Sequence, residues 1–290
     1  MFTGAMVALI TPFQEGEVDF QTLDELIEFQ LENGIDGIVP VGTTGESPTL
    51  SHDEHKQVIE RVVKAVAGQV PVIAGAGSNS TAEAIELTEF SKKVGADATL
   101  QVDPYYNKPT REGFYQHFKA IAEEVDLPIV LYDIPGRCGA GMTPDTIVRL
   151  AEIENIVAIK DATGKMDQVS EVATRCDLTI LSGDDSMTLP IASVGGKGVI
   201  SVVANIVPAD VKAMTDLILE GDLVSARQWH NKLFTLCKSM LTLATNPIPI
   251  KAAVSMLNLA SEELRLPMTP LDESKKAVLK QLLKDYGLLN

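Results

Sequence analysis

Short runs of apolar residues recur along the chain, and turn residues followed by helical periodicity come after each run. Runs of this length favour strands, and their regular alternation with helices is typical of βα units. Because the strands are almost continuously apolar, a parallel sheet covered on both faces is predicted. The eight predicted strands cover residues 6–10, 37–41, 70–74, 98–102, 128–132, 156–160, 178–182 and 198–202.

Several helix starts between these runs carry capping signals. A hydroxyl followed by a carboxylate three residues later, the capping box, occurs at Ser51 with Glu54 and at Ser80 with Glu83. Thr143 precedes a proline at a predicted first helical position. An apolar stripe that stops before a glycine at position 34 predicts the first helix, and it consists of Leu23, Leu26, Ile27 and Leu31.

The order and number of these units predict the fold class. Eight βα units favour an α/β protein built as a (β/α)8 TIM barrel, a fold of typically ~250 residues. An open doubly wound sheet is the alternative, but segment 75–80 has serine where the third glycine of the dinucleotide fingerprint belongs. Beyond the last predicted strand the pattern is helical only. We therefore predict a barrel over residues 1–221 and a small C-terminal helical extension over residues 222–290.

The charge balance narrows the range of partners. The chain of 290 residues contains 24 Lys and Arg against 40 Asp and Glu, for a formal net charge of −16. A field of this sign repels phosphate backbones and anionic lipid surfaces. We therefore expect neither a nucleic-acid nor a membrane partner. An anionic small substrate requires locally placed cations or N–H groups.

Cysteine usage indicates a reducing compartment. The chain has 3 cysteines, Cys138, Cys176 and Cys237, and no CxxC pair, so neither a disulfide framework nor a zinc site is expected. The first residues lack the basic segment of a secretory signal. No apolar run approaches the ~20 residues of a membrane-spanning helix. A cytoplasmic location is expected.

In a TIM barrel the active site lies at the carboxyl ends of the strands, which directs attention to Lys160 at the end of the sixth. Strand alternation places Ile156, Ala158 and Lys160 on one face. If that face lines the barrel, burial lowers the pKa of the amine and leaves it free to attack a carbonyl. The alternatives are a lysine that extends to solvent or one that pairs with Asp161.

Three further strand ends carry candidate chemistry. Tyr132 ends the fifth strand and is a candidate general acid–base, unless its ring only packs in the interior. The glycine-bracketed segment 42–46 offers hydroxyls and N–H groups that suit a carboxylate, although an ordinary turn has the same composition. Arg137 is a candidate clamp for a second carboxylate, or else part of a surface ion pair.

The remaining polar clusters do not predict a metal site. His52 and His55 share a helix face but do not form HExxH, and neither they nor the other histidines, His117 and His230, have a predicted third ligand. Asp184-Asp185 resembles a magnesium motif. Because no phosphate-binding loop accompanies it, a turn is favoured.

Taken in order, a series of motifs resembles the dihydrodipicolinate synthase family of pyruvate-dependent class I aldolases and lyases. The series covers almost the whole chain and is therefore far more specific than any one motif. Its members are GTTGES at 42–47, PYYN at 104–107, Tyr132 with PGR at 135–137, IKDATG at 159–164, LSGDD at 181–185, GVIS at 198–201, NPIPIK at 246–251 and LPMTP at 266–270.

The resemblance implies a reaction without metal or organic cofactor in lysine and diaminopimelate biosynthesis. Lys160 would form a Schiff base with pyruvate, and the derived enamine would attack L-aspartate 4-semialdehyde before cyclisation releases the lysine. Arg137 would bind the carboxylate of the semialdehyde. Backbone groups of Gly183 and Ile200 would line the site.

The same resemblance implies a carboxylate site, a proton relay and an oligomer. Thr43 and Thr44 would hold the pyruvate carboxylate, and Thr44 would join Tyr132 and Tyr106 in the relay. Tyr106 would come from a neighbouring subunit, since the family works as a dimer or as a homotetramer built from two dimers.

Inhibition by L-lysine is also implied, because family members that lysine inhibits bind it at a dimer interface. A lysine ligand requires a carboxylate for its ammonium and donors for its own carboxylate. Glu83 has the alternative role of capping partner, and Pro48 replaces an alanine common in relatives. The matching positions are Ser47, His52, His55, Asn79, Glu83 and Tyr105.

Two other functions stay open at this point. An aldolase of the same superfamily that cleaves N-acetylneuraminate or a 2-keto-3-deoxy sugar acid would use the same Lys160 and Tyr132. Such aldolases usually lack the arginine and the relay tyrosine found here. A catalytically silent barrel that binds lysine or pyruvate is the second alternative. Asp161 and Asp133 stand where many relatives carry Glu and Asn, which bears on specificity rather than on reaction type.

Overall fold

A computed structural model describes residues 2–290 of the chain, and its centre is a barrel of eight parallel strands. In the hydrogen-bonded sheet each barrel strand lies beside its neighbours in chain order, except that the first strand pairs with the last. The strands are β1 (Gly4–Ala8), the hairpin β2 (Phe13–Gln14) and β3 (Glu17–Val18), β4 (Gly37–Val39), β5 (Ile73–Gly75), β6 (Ala98–Val102), β7 (Ile129–Asp133), β8 (Ile156–Asp161), β9 (Thr179–Ser182) and β10 (Gly198–Ser201).

The barrel closes between β4 and β5. A parallel bridge joins Ile38 to Val72, and the N–H of Gly75 donates to the carbonyl of Pro40 at 3.0 Å. Gly75 has no substitute at this position, because a Cβ there would lie 2.2 Å from the carbonyl oxygen of Val41. The TIM barrel predicted from the apolar runs is confirmed.

Helices cover the outside of the barrel and continue beyond it. Four of them, from α9 onwards, follow the last strand. The helices are α1 (Phe20–Glu32), α2 (His52–Val66), α3 (Thr81–Val94), α4 (Arg111–Glu124), α5 (Pro135–Cys138), α6 (Pro144–Leu150), α7 (Met166–Arg175), α8 (Thr188–Ala192), α9 (Pro208–Glu220), α10 (Leu223–Thr242), α11 (Ile248–Met256) and α12 (Glu273–Tyr286).

Most strand bounds differ from the predicted ones by one to three residues. The first strand, predicted over 6–10, is observed over Gly4–Ala8. Its continuation leaves the sheet, since the N–H of Ile10 donates to the side chain of Asn205 at 3.1 Å. The apolar pattern alone does not show where a backbone N–H stops bonding to the neighbouring strand and bonds to a side chain instead.

Two of the three predicted helix caps are confirmed and one is wrong. Ser51 and Glu54 form the reciprocal capping box, and Thr143 caps α6 ahead of its proline. The side chain of Ser80 accepts no capping hydrogen bond. Glu83 instead accepts from the hydroxyl of Ser78 and contacts His52, because the chain before α3 turns the carboxylate towards α2.

The helices after the barrel bury their apolar faces against it. Leu233, Leu236 and Met240 of α10 share one core with Val203 and Ile206, which follow β10. Helix α11 lies beside the turn that follows β10 and contains Val203. It therefore brings the C-terminal part of the chain back to the carboxyl end of the strands. None of the helices within residues 2–290 is long and apolar enough to cross a membrane.

Candidate active site

Lys160 lies inside the mouth of the barrel. In the sheet register it stands between Tyr132 of β7 and Leu181 of β9. Ala158, two residues earlier on the same face, belongs to the apolar cluster that fills the barrel interior. Lys160 is only 5% exposed, so it does not extend to solvent. Its sheet neighbours Tyr132 and Leu181 belong to the same interior cluster, which places it on the inner face.

Burial sets the charge state of this amine. Removal from water lowers the pKa of Lys160 to about 7, and the positive charge of Arg137 acts in the same direction, while the carboxylate of Asp185 opposes it. None of residues 2–290 gives the amine a hydrogen bond. The alternative pairing with Asp161 is not formed, because neighbouring residues of a strand face opposite sides. The carboxylate of Asp161 instead accepts from the N–H and hydroxyl of Thr163 at 3.1 and 2.9 Å.

Tyr132 is the immediate neighbour of the lysine. The Nζ of Lys160 lies 3.9 Å from the centroid of the Tyr132 ring. Burial raises the pKa of the phenol to about 12, and a hydrogen bond with the side chain of Thr43 lowers it in part. A phenol that keeps its proton, beside an amine that readily loses its own, is suited to passing protons at a carbonyl carbon bound to that amine.

The loop after β4 is a tight turn that leaves N–H groups free. Its ends have left-handed backbone, with φ of 54° at Val41 and 55° at Glu46. The turn closes when the N–H of Glu46 donates to the carbonyl of Thr43 at 3.2 Å. The N–H groups of Thr43 and Thr44 donate to none of the described residues, so they are available to a carboxylate.

The two threonines have different neighbours. Thr43 contacts Tyr132, whereas the buried hydroxyl of Thr44 accepts from the side-chain amide of Asn246 at 3.1 Å. The geometry therefore favours Thr43 over Thr44 as the hydroxyl next to the phenol. The resemblance assigned that place to Thr44. Motif matching alone does not show which of two adjacent hydroxyls points along the barrel.

Arg137 is held over the same opening. It lies in α5, and its Nη2 donates to the backbone carbonyl of Asn246 at 2.8 Å. A pocket of about 100 Å³ has Thr43, Arg137 and Asn246 among its lining residues. Asn246 thus contacts both Thr44, in the loop after β4, and Arg137. Sequence reasoning quoted it only as part of a motif, and nothing in a single asparagine marks it for this role.

Gly183 and Ile200 complete the surroundings of the lysine. A Cβ on Gly183 would lie 3.1 Å from Cγ of Lys160, so the glycine leaves room for the lysine side chain. Ile200 is 1% exposed in the interior cluster. Asp185 uses one carboxylate oxygen to accept from the N–H groups of Val202 and Val203, at 2.9 and 3.2 Å, and so joins the turn after β9 to the turn after β10.

Tyr106 is not brought to this site within the single chain. Its side chain is 90% exposed, and its backbone has a φ of 72°. Within one chain this phenol therefore lies in solvent, whereas Lys160 is buried in the barrel.

The proposed lysine-site residues lie around a second pocket, of about 170 Å³, next to the active site. Five of the six line it, and the sixth, Asn79, donates its amide to the Tyr105 carbonyl at 3.0 Å. His52 Nε2 lies 2.9 Å from Glu83 Oε1. The buried ring of His55 donates from Nε2 to the carbonyl of Gly75 at 2.6 Å. The five lining residues are Ser47, His52, His55, Glu83 and Tyr105.

A buried ion pair holds the end of the loop after β4, and the sequence did not predict it. Lys251 of α11 is 0% exposed and donates to Glu46 at 2.5 Å and to the carbonyl of Glu263 at 2.6 Å. The second oxygen of Glu46 accepts from the N–H of Arg265 at 3.2 Å. The C-terminal segment thus fixes the residue that ends the turn bearing Thr43 and Thr44. Among residues 2–290, no cluster of three or more His, Cys, Asp or Glu side chains is arranged to hold a metal.

Comparison with known proteins agrees with this geometry. The model of the Dihydrodipicolinate synthetase family matches residues 1–286. A relative from Methanocaldococcus jannaschii, named 4-hydroxy-tetrahydrodipicolinate synthase, is 55% identical over 290 residues, which is 100% of each chain.

Two solved structures show what similar barrels bind. Dihydrodipicolinate synthase from Acinetobacter baumannii, complexed with pyruvate, has a TM-score of 0.97 at 45% identity and covers 100% of each chain. The enzyme from Cyanidioschyzon merolae with lysine bound has a TM-score of 0.96 at 42% identity and covers 99% of each chain. The family resemblance predicted from the motifs is confirmed: this chain belongs to the dihydrodipicolinate synthetase family.

Proposed function

We propose that this chain acts as a 4-hydroxy-tetrahydrodipicolinate synthase, a lyase of lysine and diaminopimelate biosynthesis that condenses pyruvate with L-aspartate 4-semialdehyde. The observation that carries the proposal is the amine of Lys160, which is buried, lacks a hydrogen-bond partner among residues 2–290 and lies 3.9 Å from the ring centroid of Tyr132. Family membership supports the same reaction.

The reaction begins at the neutral amine. Lys160 adds to the keto carbon of pyruvate, and loss of water leaves an imine on Nζ. The imine withdraws electrons, so the methyl carbon gives up a proton and becomes an enamine carbon without help from a metal. That carbon forms a bond to the aldehyde carbon of the second substrate. The amino group of the semialdehyde then attacks the imine carbon, closes the ring and releases Lys160.

Each proton transfer in this reaction requires a group that can both donate and accept a proton. Tyr132 lies over the amine and is in hydrogen-bond contact with Thr43, so these two form the relay in our proposal. Thr44 is assigned to the pyruvate carboxylate, together with the free N–H groups of its turn. Arg137, held by Asn246 at the opening, is assigned to the carboxylate of the semialdehyde.

The exposed Tyr106 supports an assembly of several chains. We propose that it enters the relay of a neighbouring subunit, in a dimer or in a homotetramer built from two dimers. Its 90% exposed side chain is compatible with such a contact. Sedimentation of the wild-type chain and of Tyr106→Phe would test this. The variant should keep its oligomeric state and lose most of its turnover.

The first experiment traps the imine. Borohydride reduction in the presence of pyruvate should add the mass of one reduced pyruvyl group, and peptide mapping should place it on Lys160. Lys160→Ala should remain unmodified. The exposed Lys165, five residues later, provides the matched control, because Lys165→Ala should be labelled like the wild type.

The substrate is tested separately. Condensation of pyruvate with L-aspartate 4-semialdehyde should proceed, whereas cleavage of N-acetylneuraminate or of a 2-keto-3-deoxy sugar acid should not. Labelling by pyruvate combined with sugar-acid cleavage and no condensation would overturn the proposed substrate and keep the imine chemistry. No labelling at all would favour the catalytically silent barrel.

We further propose that L-lysine binds the pocket between α2 and α3 and inhibits the enzyme. Glu83 supplies a carboxylate for the side-chain ammonium, and His52 lies beside it. Saturating lysine should lower the initial rate, and Glu83→Gln should relieve the inhibition. Glu86→Gln, on the exposed next turn of α3, is the control and should keep it. An unchanged rate at saturating lysine would contradict this part alone.

A further inference from the structure

Two carboxyl groups, those of Asp103 and Asp133, lie together beneath the loop that carries Arg137. Asp103 follows β6 and Asp133 ends β7, and the N–H of Asp103 donates to the carbonyl of Tyr132 at 3.0 Å. Both residues are 0% exposed. Two buried negative charges side by side are strongly unfavourable unless a cation or a proton intervenes.

The hydrogen bonds of this pair leave one oxygen on each side without a donor. Oδ2 of Asp103 accepts from the N–H of Ile134 at 3.2 Å, and Oδ2 of Asp133 accepts from the side-chain amide of Gln168 at 2.8 Å. The Oδ1 atoms of both residues are buried and receive a hydrogen bond from none of residues 2–290. In the sheet register Val102 pairs with Tyr132, so Asp103 and Asp133, the next residue on each chain segment, stand side by side. Each carboxyl group shifts the pKa of the other. One shared proton satisfies both oxygens at once.

We infer that Asp103 and Asp133 share a single proton and that this acid pair is a positioning unit for Arg137. The Oδ1–H of Asp103 donates to the Oδ1 of Asp133. The inference rests on the proposed function, because it concerns the arginine assigned there to the second substrate.

The pair holds both ends of the loop over residues 134–142. At the near end, the N–H of Ile134 donates to Asp103. At the far end, Gly141 passes so close that a Cβ on it would lie 2.6 Å from Oδ1 of Asp133, and the N–H of Met142 stabilises the charge of that carboxylate. Arg137 lies between these two anchors, so its direction depends on a pair that it does not touch.

The charges around the pair favour one neutral and one ionised member. Burial and the charge of Asp133 raise the pKa of Asp103 to about 10, and burial also raises the pKa of Asp133. The other charged or titratable groups that face the pair are Tyr132 and Cys138 on its own side, and Asp161 and Lys165 from β8 and the turn after it.

A direct measurement of the proton does not depend on activity. Burial raises the pKa of Asp161 and of Asp185 only to about 6, so both are ionised at about pH 8, where Asp103 remains neutral. Infrared difference spectra of wild type minus Asp103→Asn at that pH should show the carbonyl stretch of a neutral carboxylic acid. Absence of this band would overturn the inference.

Kinetics test the positioning role. In Asp103→Asn the amide oxygen accepts from Ile134 and the amide N–H replaces the shared proton, so the kinetic constants should stay within about twofold of wild type. Asp103→Ala removes both contacts and leaves Asp133 unpaired. Its KM for L-aspartate 4-semialdehyde should rise about tenfold or more, while the KM for pyruvate and the rate of borohydride trapping change little.

The outcomes separate the two proposals. Equal KM values for the semialdehyde in the Asn and Ala variants would overturn the positioning role. A rise in both KM values together, with slower trapping, would also overturn it, because the defect would then extend to the whole site. Failure of the wild-type chain to condense its substrates would instead overturn the proposed function, and the infrared band would still decide whether the proton is shared.

Discussion

Two lysines are buried at the same end of this barrel, and they differ in their hydrogen-bond partners. Lys160 is 5% exposed and has no hydrogen-bond partner among residues 2–290. Lys251 is 0% exposed and donates to the Glu46 carboxylate at 2.5 Å and to a backbone carbonyl at 2.6 Å. Burial lowers the pKa of both amines. The carboxylate of Asp185 opposes this at Lys160 through its charge alone, whereas the carboxylate of Glu46 also accepts a hydrogen bond from Lys251.

The difference shows that burial alone does not make a nucleophile. An amine that is buried with a carboxylate keeps its proton in an ion pair and serves the structure. An amine that is buried among apolar side chains loses its proton near neutral pH and can attack a carbonyl. The two lysines are therefore a matched internal comparison, and the same substitutions at both positions should have opposite consequences.

The largest expected effect is the loss of turnover in Lys160→Ala. The variant lacks the only amine positioned to form the imine in our proposal, so kcat should fall by roughly 10³-fold or more. Steady-state rates at saturating pyruvate and semialdehyde would measure it. Retention of full turnover would refute the role of Lys160, and with it the contrast between the two lysines.

The next effect is on stability, at Lys251. Lys251→Met leaves the carboxylate of Glu46 buried without its cation, which should reduce the free energy of unfolding by about 3–5 kcal/mol. Urea denaturation would measure the change. In the double variant Glu46→Gln/Lys251→Met the uncompensated charge is gone, so more than half of the loss should be recovered. A double variant as unstable as Lys251→Met would show that the ion pair is not the source of the effect.

The same substitution at the other lysine should stabilise the protein. The folded pKa of Lys160, about 7, lies below its ordinary value of 10.5, so the fold disfavours the protonated amine. This cost is complete below about pH 7 and disappears as the pH rises towards 10.5, where the unfolded chain also loses the proton. At about pH 6, Lys160→Met should therefore raise the free energy of unfolding by roughly 2–4 kcal/mol. A destabilised Lys160→Met would contradict the assignment of this amine as unpaired.

The smallest effect is the pH dependence of imine formation. Only the neutral amine attacks pyruvate, so the rate of borohydride-trappable imine formation should fall about tenfold for each pH unit below about 7 and level off above it. Borohydride reduction after fixed reaction times, at a series of pH values, would measure this profile. A rate that keeps rising towards pH 10 would mean that the amine has the ordinary pKa of an exposed lysine.

Much of the fold follows from local pattern, and part of the site follows from position on that fold. The apolar runs predicted eight strands, and alternation within the sixth placed Lys160 on the same face as Ala158. The structure shows that this face lines the barrel. The capping box at Ser80 was wrong, because Glu83 contacts Ser78 and His52, which lies on the preceding helix. Contacts between residues close in sequence were thus predictable until a neighbouring element competed for the same side chain.

The contacts that sequence reasoning missed join distant segments. Asn246 lies 202 positions from Thr44, and Lys251 lies 205 positions from Glu46. The shared proton of Asp103 and Asp133 in our inference depends on two neighbouring strands ending at one level. Hydrophobic periodicity carries no information on contacts between residues so far apart in the chain. A polar residue looks the same in a sequence whether or not a distant residue binds it in the fold.

The sequence by itself determined the barrel and the position of Lys160 at the end of its sixth strand, since apolar alternation and strand spacing depend only on nearby residues. The tertiary structure decided that this lysine faces the interior. The tertiary structure alone decided which buried amine has a carboxylate, which threonine faces the phenol and what holds the arginine loop. Those choices depend on the approach of segments far apart along the chain, and the free energy of a buried charge depends on the few ångströms between it and its partner.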